Sequence, residues 1–124
     1  MGTSVNEHDT LRHDPDCIFC RIVAGEIPSE RVHEDEQVIV FKDLHPQAPV
    51  HVLVVPREHR RDVTELAEDP ALLAHTATVA AQVAAEQADG EFRLVFNTGT
   101  SAGQTVFHVH AHVHAGGTLA EGEL

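Results

Sequence analysis

Residues 107–117 read FHVHAHVHAGG and alternate histidine with small apolar residues for four histidines in a row. Successive side chains of a β-strand point to opposite faces, so the pattern predicts a strand over residues 107–114. Its histidines would lie on one face, about 6.6 Å apart. The valines and alanines between them would face a core. An imidazole has an ordinary pKa of about 6.5 and can therefore act as an acid, base, nucleophile or metal ligand near neutral pH. This strand is a candidate for the functional site.

Length and composition restrict the class of protein. A chain of 124 residues indicates one domain with a modest core. A net charge of −12 with only 8 Lys and Arg argues against nucleic-acid binding, which needs clustered basic side chains. One phosphate of a mononucleotide could still be held by backbone N–H groups and histidines. Since we find neither a signal peptide nor a membrane span, we expect a soluble, cytoplasmic protein.

The remaining patterns predict an α+β fold, in which helices cover one face of a five-stranded antiparallel sheet. A short helix is expected from Cys17 to just before Gly25. A long helix is expected to begin at Asp69-Pro70, where an N-cap aspartate is followed by a first-turn proline, and to end near Gly90. The other predicted strands are residues 31–34, 38–42, 51–55 and 93–97. Residues 1–16 are expected to form a flexible N-terminal arm, 17–117 the folded domain and 118–124 a short tail.

Two short motifs lie outside the histidine row. Residues 98–105, TGTSAGQT, precede it directly, and their glycines and backbone N–H groups could surround an anion. Ordinary hairpin loops have the same composition, so the loop alone does not identify a phosphate site. Cys17 and Cys20 are three positions apart and indicate half a metal site or a redox motif; a pair of reduced thiols on a helix is the alternative.

Several motifs over residues 17–117 resemble those of the histidine-triad (HIT) superfamily and follow one another in the expected order. The chain is most similar to the Hint-like purine nucleoside phosphoramidase branch, in its bacterial type that carries a Cys-x-x-Cys pair. Residues 108–114 are similar to the superfamily's His-φ-His-φ-His-φ-φ signature, except that His114 stands at its last apolar position. Residues 17–28, CIFCRIVAGEIP, resemble the branch's N-terminal helix and turn. Residues 41–56, FKDLHPQAPVHVLVVP, resemble its central hairpin, and Asn97 with residues 103–105 its phosphate loop.

The resemblance implies a homodimer whose two sheets pair into ten strands, with one nucleotide site per protomer. It implies cleavage of purine nucleoside 5′-phosphoramidates, or related phosphoanhydrides, to the nucleoside monophosphate. The expected nucleophile is His110, which would attack the α-phosphorus to form a covalent nucleotidyl-histidine that water then hydrolyses. The other members of the implied catalytic set are His112 beside the phosphate, the Thr105 hydroxyl, His51 behind the triad, and His108.

The same resemblance implies the residues that bind the nucleotide and a metal. Asp43 would bind the ribose. The base slot would comprise Phe19, Ile22, Ile27, Phe41 and Leu44, and the phosphate would lie near Asn97, Gly103, Gln104 and Thr105. One structural zinc ion per chain would be held by Cys17, Cys20, His59 and His108, and the chemistry itself would need no metal.

Other functions stay open at this stage. One is a dinucleoside polyphosphate hydrolase or nucleotidyl phosphorylase, another a non-catalytic nucleotide-binding dimer, and a third a metal-binding protein that uses the whole histidine row. The physiological substrate, its leaving group, the preferred purine and any protein partner are not predicted. Histidines outside these motifs are expected to have surface or packing roles; they are His8, His13, His33, His45 and His75. His114 is expected at the solvent end of the strand.

Overall fold

A five-stranded antiparallel sheet in the order β1-β2-β3-β5-β4 forms the centre of the molecule in a computed structural model that describes residues 12–120. The strands are β1 Arg31–Glu34, β2 Val38–Lys42, β3 Val50–Pro56, β4 Phe92–Val95 and β5 Ala111–Ala115. The helices are α1 Ile18–Val23, α2 Val63–Leu66 and α3 Pro70–Gln87, with a 3-10 turn at Thr100–Ala102. The predictions for residues 1–11 of the arm and 121–124 of the tail lie outside the described residues. Among the helices within 12–120, none has the length and apolar character needed to cross a membrane.

Both faces of the sheet are covered, which corrects the expectation that all helices lie on one side. Four consecutive residues of β2, Val38 to Phe41, are buried. Val38 and Val40 pack with α3, while Ile39 and Phe41 pack with Phe19 of α1. A strand that is apolar at every position needs both faces covered, so α1 and α3 lie on opposite sides of the sheet.

The predicted long helix is confirmed at both ends. The carboxylate of Asp69 accepts a hydrogen bond from the backbone N–H of Leu72, and Pro70 occupies the first turn. Gly90, just beyond the helix, adopts a φ of 90° that favours glycine. The short helix α2 was not predicted, although Asp62 caps it as an aspartate at a helix start should.

The histidine strand is shorter than predicted. Regular pairing begins at Ala111, opposite Val54, whereas the prediction began at residue 107. Before it, the N–H of Val109 donates to the carbonyl of Arg60, in the connection that follows β3. The alternation of burial still continues: Val109 and the apolar residues of β5 are buried, while the last three histidines are half-buried on the α1 side. His108 is fully buried.

Candidate active site and metal centre

A cavity of about 640 Å³ lies on the α1 side of the sheet. Nine of the ten predicted nucleotide-binding residues line it, together with His110, His112 and other side chains. Those nine are Phe19, Ile22, Ile27, Phe41, Asp43, Leu44, Asn97, Gly103 and Thr105. A larger cavity of about 870 Å³ lies where β4 begins and β5 ends, and His114 is the one histidine of the row that lines it. The smaller cavity is therefore the candidate active site.

Hydrogen bonding fixes the tautomer of His110. Its Nδ1–H donates to the carbonyl oxygen of His108 at 2.8 Å, which leaves the lone pair on Nε2. Phe19 contacts the ring edge-to-face, with the ring centroids 5.0 Å apart. Burial lowers the pKa of His110 below its ordinary value, so the ring is neutral at pH 7. A neutral imidazole with a fixed lone pair in a cavity is equipped to act as a nucleophile.

A second chain of hydrogen bonds orients His112. The backbone N–H of Gln47 donates to Nδ1 of His51 at 2.9 Å, so the proton of neutral His51 lies on Nε2. That Nε2 is 3.0 Å from Nδ1 of His112 and donates to it, which places the proton of His112 on Nε2. Burial, followed by the neighbouring His110 and His51, lowers the pKa of His112 to about 4. His112 is thus a neutral hydrogen-bond donor beside His110.

Asp43 lies at the junction of the cavity and these histidines. Its Oδ1 accepts a hydrogen bond from the N–H of His45 at 2.7 Å. Its Oδ2 is 3.3 Å from Nε2 of His51 and 4.0 Å from Nδ1 of His112. The carboxylate therefore shapes a turn and also faces both histidines.

The loop before the histidines uses part of its hydrogen-bonding capacity internally. The N–H groups of Gly103 and Gln104 donate to the carbonyls of Thr100 and Gly99, which differs from the expectation that they face a phosphate. The side chain of Gln104, 3% exposed, accepts from the Gly99 N–H and donates to the carbonyls of Arg61 and Val106. Gln104 consequently holds the loop in place rather than lining the cavity.

The predicted metal ligands converge at the N-terminus of α1. Sγ of Cys20 is 3.3 Å from Nδ1 of His59 and 3.5 Å from Nδ1 of His108. Sγ of Cys17 is 3.5 Å from the same His108 nitrogen, and the two imidazole nitrogens are 3.2 Å apart. Because Nε2–H of His108 donates to the carbonyl of Pro56, its lone pair faces the cysteines.

This donor set fits a tetrahedral zinc ion. Two sulfurs and two imidazole nitrogens are the ligands of a closed structural site. Burial, together with the neighbouring Cys17, raises the pKa of the Cys20 thiol to about 12, so without a cation that thiol keeps its proton.

Residues from the predicted arm also contact this centre. The Asp14 N–H donates to Sγ of Cys20, and the Arg12 carbonyl accepts from the His59 N–H.

Three branched aliphatic residues of the cavity were not predicted. They are Ile18, Leu53 and Val106. Ile18 precedes the predicted Ile22 by four positions on α1, and helical spacing alone would have placed both on one face. Leu53 pairs with His112 across β3 and β5, a relation that only the strand register reveals.

Comparison with known proteins places the chain in a family. The family model described as scavenger mRNA decapping enzyme C-term binding matches residues 16–121. An uncharacterized HIT-like protein of Synechocystis is 47% identical over 103 residues, which are 82% of this chain and 90% of that protein. The chain belongs to the HIT family, and the predicted superfamily is confirmed.

Solved structures agree with the fold. A HIT family hydrolase from Clostridium thermocellum has a TM-score of 0.84 at 40% identity, covering 90% of this chain and 99% of that one. A Zn-bound histidine triad family protein from Mycobacterium smegmatis has a TM-score of 0.69 at 36% identity, covering 87% and 78%. The α+β architecture with its five-stranded antiparallel sheet is confirmed.

Proposed function

We propose that this protein hydrolyses purine nucleoside 5′-phosphoramidates, or related phosphoanhydrides, to the nucleoside monophosphate through a covalent nucleotidyl-His110. The observation that carries this proposal is the fixed tautomer of His110, whose Nδ1–H donates to the His108 carbonyl beside a nucleotide-sized cavity. Phosphoryl transfer depends mainly on positioning and on stabilising charge, and a neutral, oriented nucleophile supplies the first of these.

Each step of the mechanism can be assigned to a nitrogen. Nε2 of His110 attacks the α-phosphorus and the bond from phosphorus to the leaving nitrogen breaks, with that nitrogen leaving as an amine that has taken a proton from solvent. The Nε2–H of neutral His112 donates a hydrogen bond to a phosphoryl oxygen throughout and keeps its proton. Water then attacks the same phosphorus and loses its proton to solvent. The phosphorus–Nε2 bond to His110 breaks and the monophosphate leaves. Both histidines finish in the protonation states in which they began.

The surrounding side chains would bind the rest of the substrate. Asp43 would accept hydrogen bonds from the ribose hydroxyls, and the apolar wall around Phe19 and Phe41 would cover the base. Thr105 and Asn97, which line the cavity near His110, would contact the phosphate or the leaving group. Zinc held by the cysteines, His59 and His108 would be structural. We further propose a homodimer with a ten-stranded sheet, in a cytoplasm that keeps both cysteines reduced.

Adenosine 5′-phosphoramidates with several amine leaving groups test the proposal. The wild type should release AMP and show, by intact-protein mass spectrometry, a transient gain of one adenylyl group. His110→Ala should do neither, while His75→Ala, the same change at a histidine on α3, should behave as wild type. AMP binding without turnover would favour the non-catalytic dimer, and turnover of dinucleoside polyphosphates alone would favour that hydrolase class.

A further inference from the structure

A second set of metal-ligand atoms surrounds Nε2 of His51, next to the cavity. Nε2 of His51 is 3.0 Å from Nδ1 of His112 and 3.3 Å from Nε2 of His114. Oδ2 of Asp43 is also 3.3 Å from the same His51 nitrogen. None of these four residues belongs to the Cys17–His108 centre, and His114 occupies a position that is apolar in the HIT signature.

Proton counting shows that hydrogen bonds alone do not satisfy this cluster. Since Gln47 donates to Nδ1 of His51, neutral His51 has one N–H, at Nε2. That single proton faces three acceptors: Nδ1 of His112, Nε2 of His114 and Oδ2 of Asp43. Ligand atoms about 2.0–2.1 Å from a tetrahedral ion are themselves about 3.3 Å apart. The three separations measured from Nε2 of His51 therefore match edges of a coordination tetrahedron, whereas Oδ2 of Asp43, 4.0 Å from Nδ1 of His112, would move closer to that nitrogen when an ion binds.

We propose that His51, His112, His114 and Asp43 form a second site, for a divalent transition-metal ion such as Zn²⁺ or Co²⁺. Three imidazoles and one carboxylate suit such ions, and the four ligands would leave the bound site with one positive charge. The three ring nitrogens lie within 4.8 Å of one another, so only small side-chain shifts are needed for one ion to bind them all.

Binding of a metal ion at this site requires a change in the hydrogen bond made by Gln47. When Nε2 of His51 ligates the ion, its proton must move to Nδ1, where the Gln47 N–H now donates. Two donors cannot share that contact, so the Gln47 peptide has to turn away. Gln47 lies in the exposed connection between β2 and β3, where water can take its N–H. The environment of the Gln47 amide should therefore report on occupancy of this site.

Occupancy has a consequence for the nucleotide, and this consequence alone rests on the proposed function. Asp43 and His112 line the nucleotide cavity, and both would be committed to the ion. The metal and the nucleotide should therefore compete, and metal occupancy should inhibit turnover. The site itself can be tested without substrate, so a failure of the phosphoramidase proposal would not be mistaken for a failure of the metal site.

Cobalt titration of the purified full-length protein provides the test, with the cysteine centre already holding zinc. The wild type should bind one Co²⁺ per chain with visible d–d bands and no thiolate charge-transfer band, which a cysteine site would show. His114→Leu should weaken this binding at least tenfold, and His114→Gln should weaken it similarly. His75→Leu, the same change on α3, should bind as wild type. Circular dichroism of each variant checks that it is folded.

Two-dimensional NMR with diamagnetic Zn²⁺ identifies the residues involved. The Gln47 amide resonance should shift as the second ion binds, and it should stay unchanged in His114→Leu. The proposal is overturned if the zinc-loaded wild type binds no Co²⁺, or if folded His114→Leu binds it with unchanged affinity. A shift of Gln47 that is as large in His114→Leu would likewise overturn it.

Discussion

At the residue scale, His51 decides which nitrogen of His112 carries the proton. Its Nε2–H donates to Nδ1 of His112, and its own Nδ1 is held by the Gln47 N–H. His51→Leu should lower kcat by about 10- to 100-fold, less than the ~10²–10⁴ associated with loss of a general acid, because His112 remains but loses its orientation. Steady-state kinetics should show KM nearly unchanged.

Two comparison variants separate orientation from a general loss of structure. His51→Gln can still accept from Gln47 and donate to His112, so it should recover a measurable part of the lost kcat. His33→Leu, a histidine outside the site, should leave kcat unchanged. Equal loss in His51→Gln and His51→Leu, with no change in thermal unfolding, would argue that the imidazole acts by proton transfer and not by positioning.

The identities of the site residues could be predicted from sequence, but their tautomers could not. The row of histidines, the Cys-x-x-Cys pair and the Asp43 turn are visible as motifs. The lone pair on Nε2 of His110, in contrast, depends on a carbonyl oxygen 2.8 Å from Nδ1, and that distance exists only after the chain bends before β5. Gln104 is a different case: its backbone N–H was expected near the phosphate but donates to the Gly99 carbonyl, and its side chain holds the loop.

At the scale of elements, Asp35 joins the turn between β1 and β2 to helix α3. Its Oδ2 is 2.9 Å from Nε2 of both His33 and His75, and its Oδ1 accepts from the backbone N–H groups of Gln37 and Val38. Burial opposes the charged carboxylate, but these hydrogen bonds outweigh it and hold the pKa of Asp35 well below its usual range. The structure thus gives His33 and His75 a specific packing role.

The lowered pKa of Asp35 gives a pH dependence with a definite sign. Its contribution to stability is present above the unfolded-state pKa of about 3.9 and is lost as the pH falls below that value. Asp35→Asn should lower the free energy of unfolding at pH 7 by about 1 kcal/mol. Urea titrations should show this difference shrinking below pH 4. Glu36→Gln, at the exposed next residue, should change little, and a difference that grows at low pH would contradict the assignment.

Strand existence was easier to predict than strand extent. Alternation in residues 107–117 correctly places the buried and half-buried sides, yet regular pairing starts at Ala111 although β3 continues to Pro56. The preceding residues make other hydrogen bonds: the Val109 N–H donates to the Arg60 carbonyl, and the His108 carbonyl accepts from the His110 ring. A chain segment can keep its own alternation where its backbone no longer pairs with the neighbouring strand, so the pattern alone overestimates the length of the ladder. The short helix α2 was missed since one turn shows no periodicity and has only its Asp62 cap as a signal.

At the scale of the whole molecule, the cysteine–histidine centre joins segments that are distant in sequence. Its ligands come from the start of α1, from the connection after β3 and from the residues just before β5. The carbonyl of His108, one of these ligands, accepts the hydrogen bond that fixes the tautomer of His110. A bound zinc ion would therefore stabilise the fold and would also hold the nucleophile's acceptor in place.

Removing one ligand of this centre should lower stability and disturb the active site together. An ion present at about 100 times its Kd contributes about 2.7 kcal/mol, which corresponds to roughly 10 °C in Tm for a chain of this size. His59→Asn should lose one zinc ion per chain by metal analysis, lower Tm by about that amount and reduce AMP release. His45→Asn, on an exposed turn, should retain the zinc and the Tm. If His59→Asn keeps its full zinc content, these four residues are not the ligands; if it loses zinc with an unchanged Tm, the ion does not hold the three segments together.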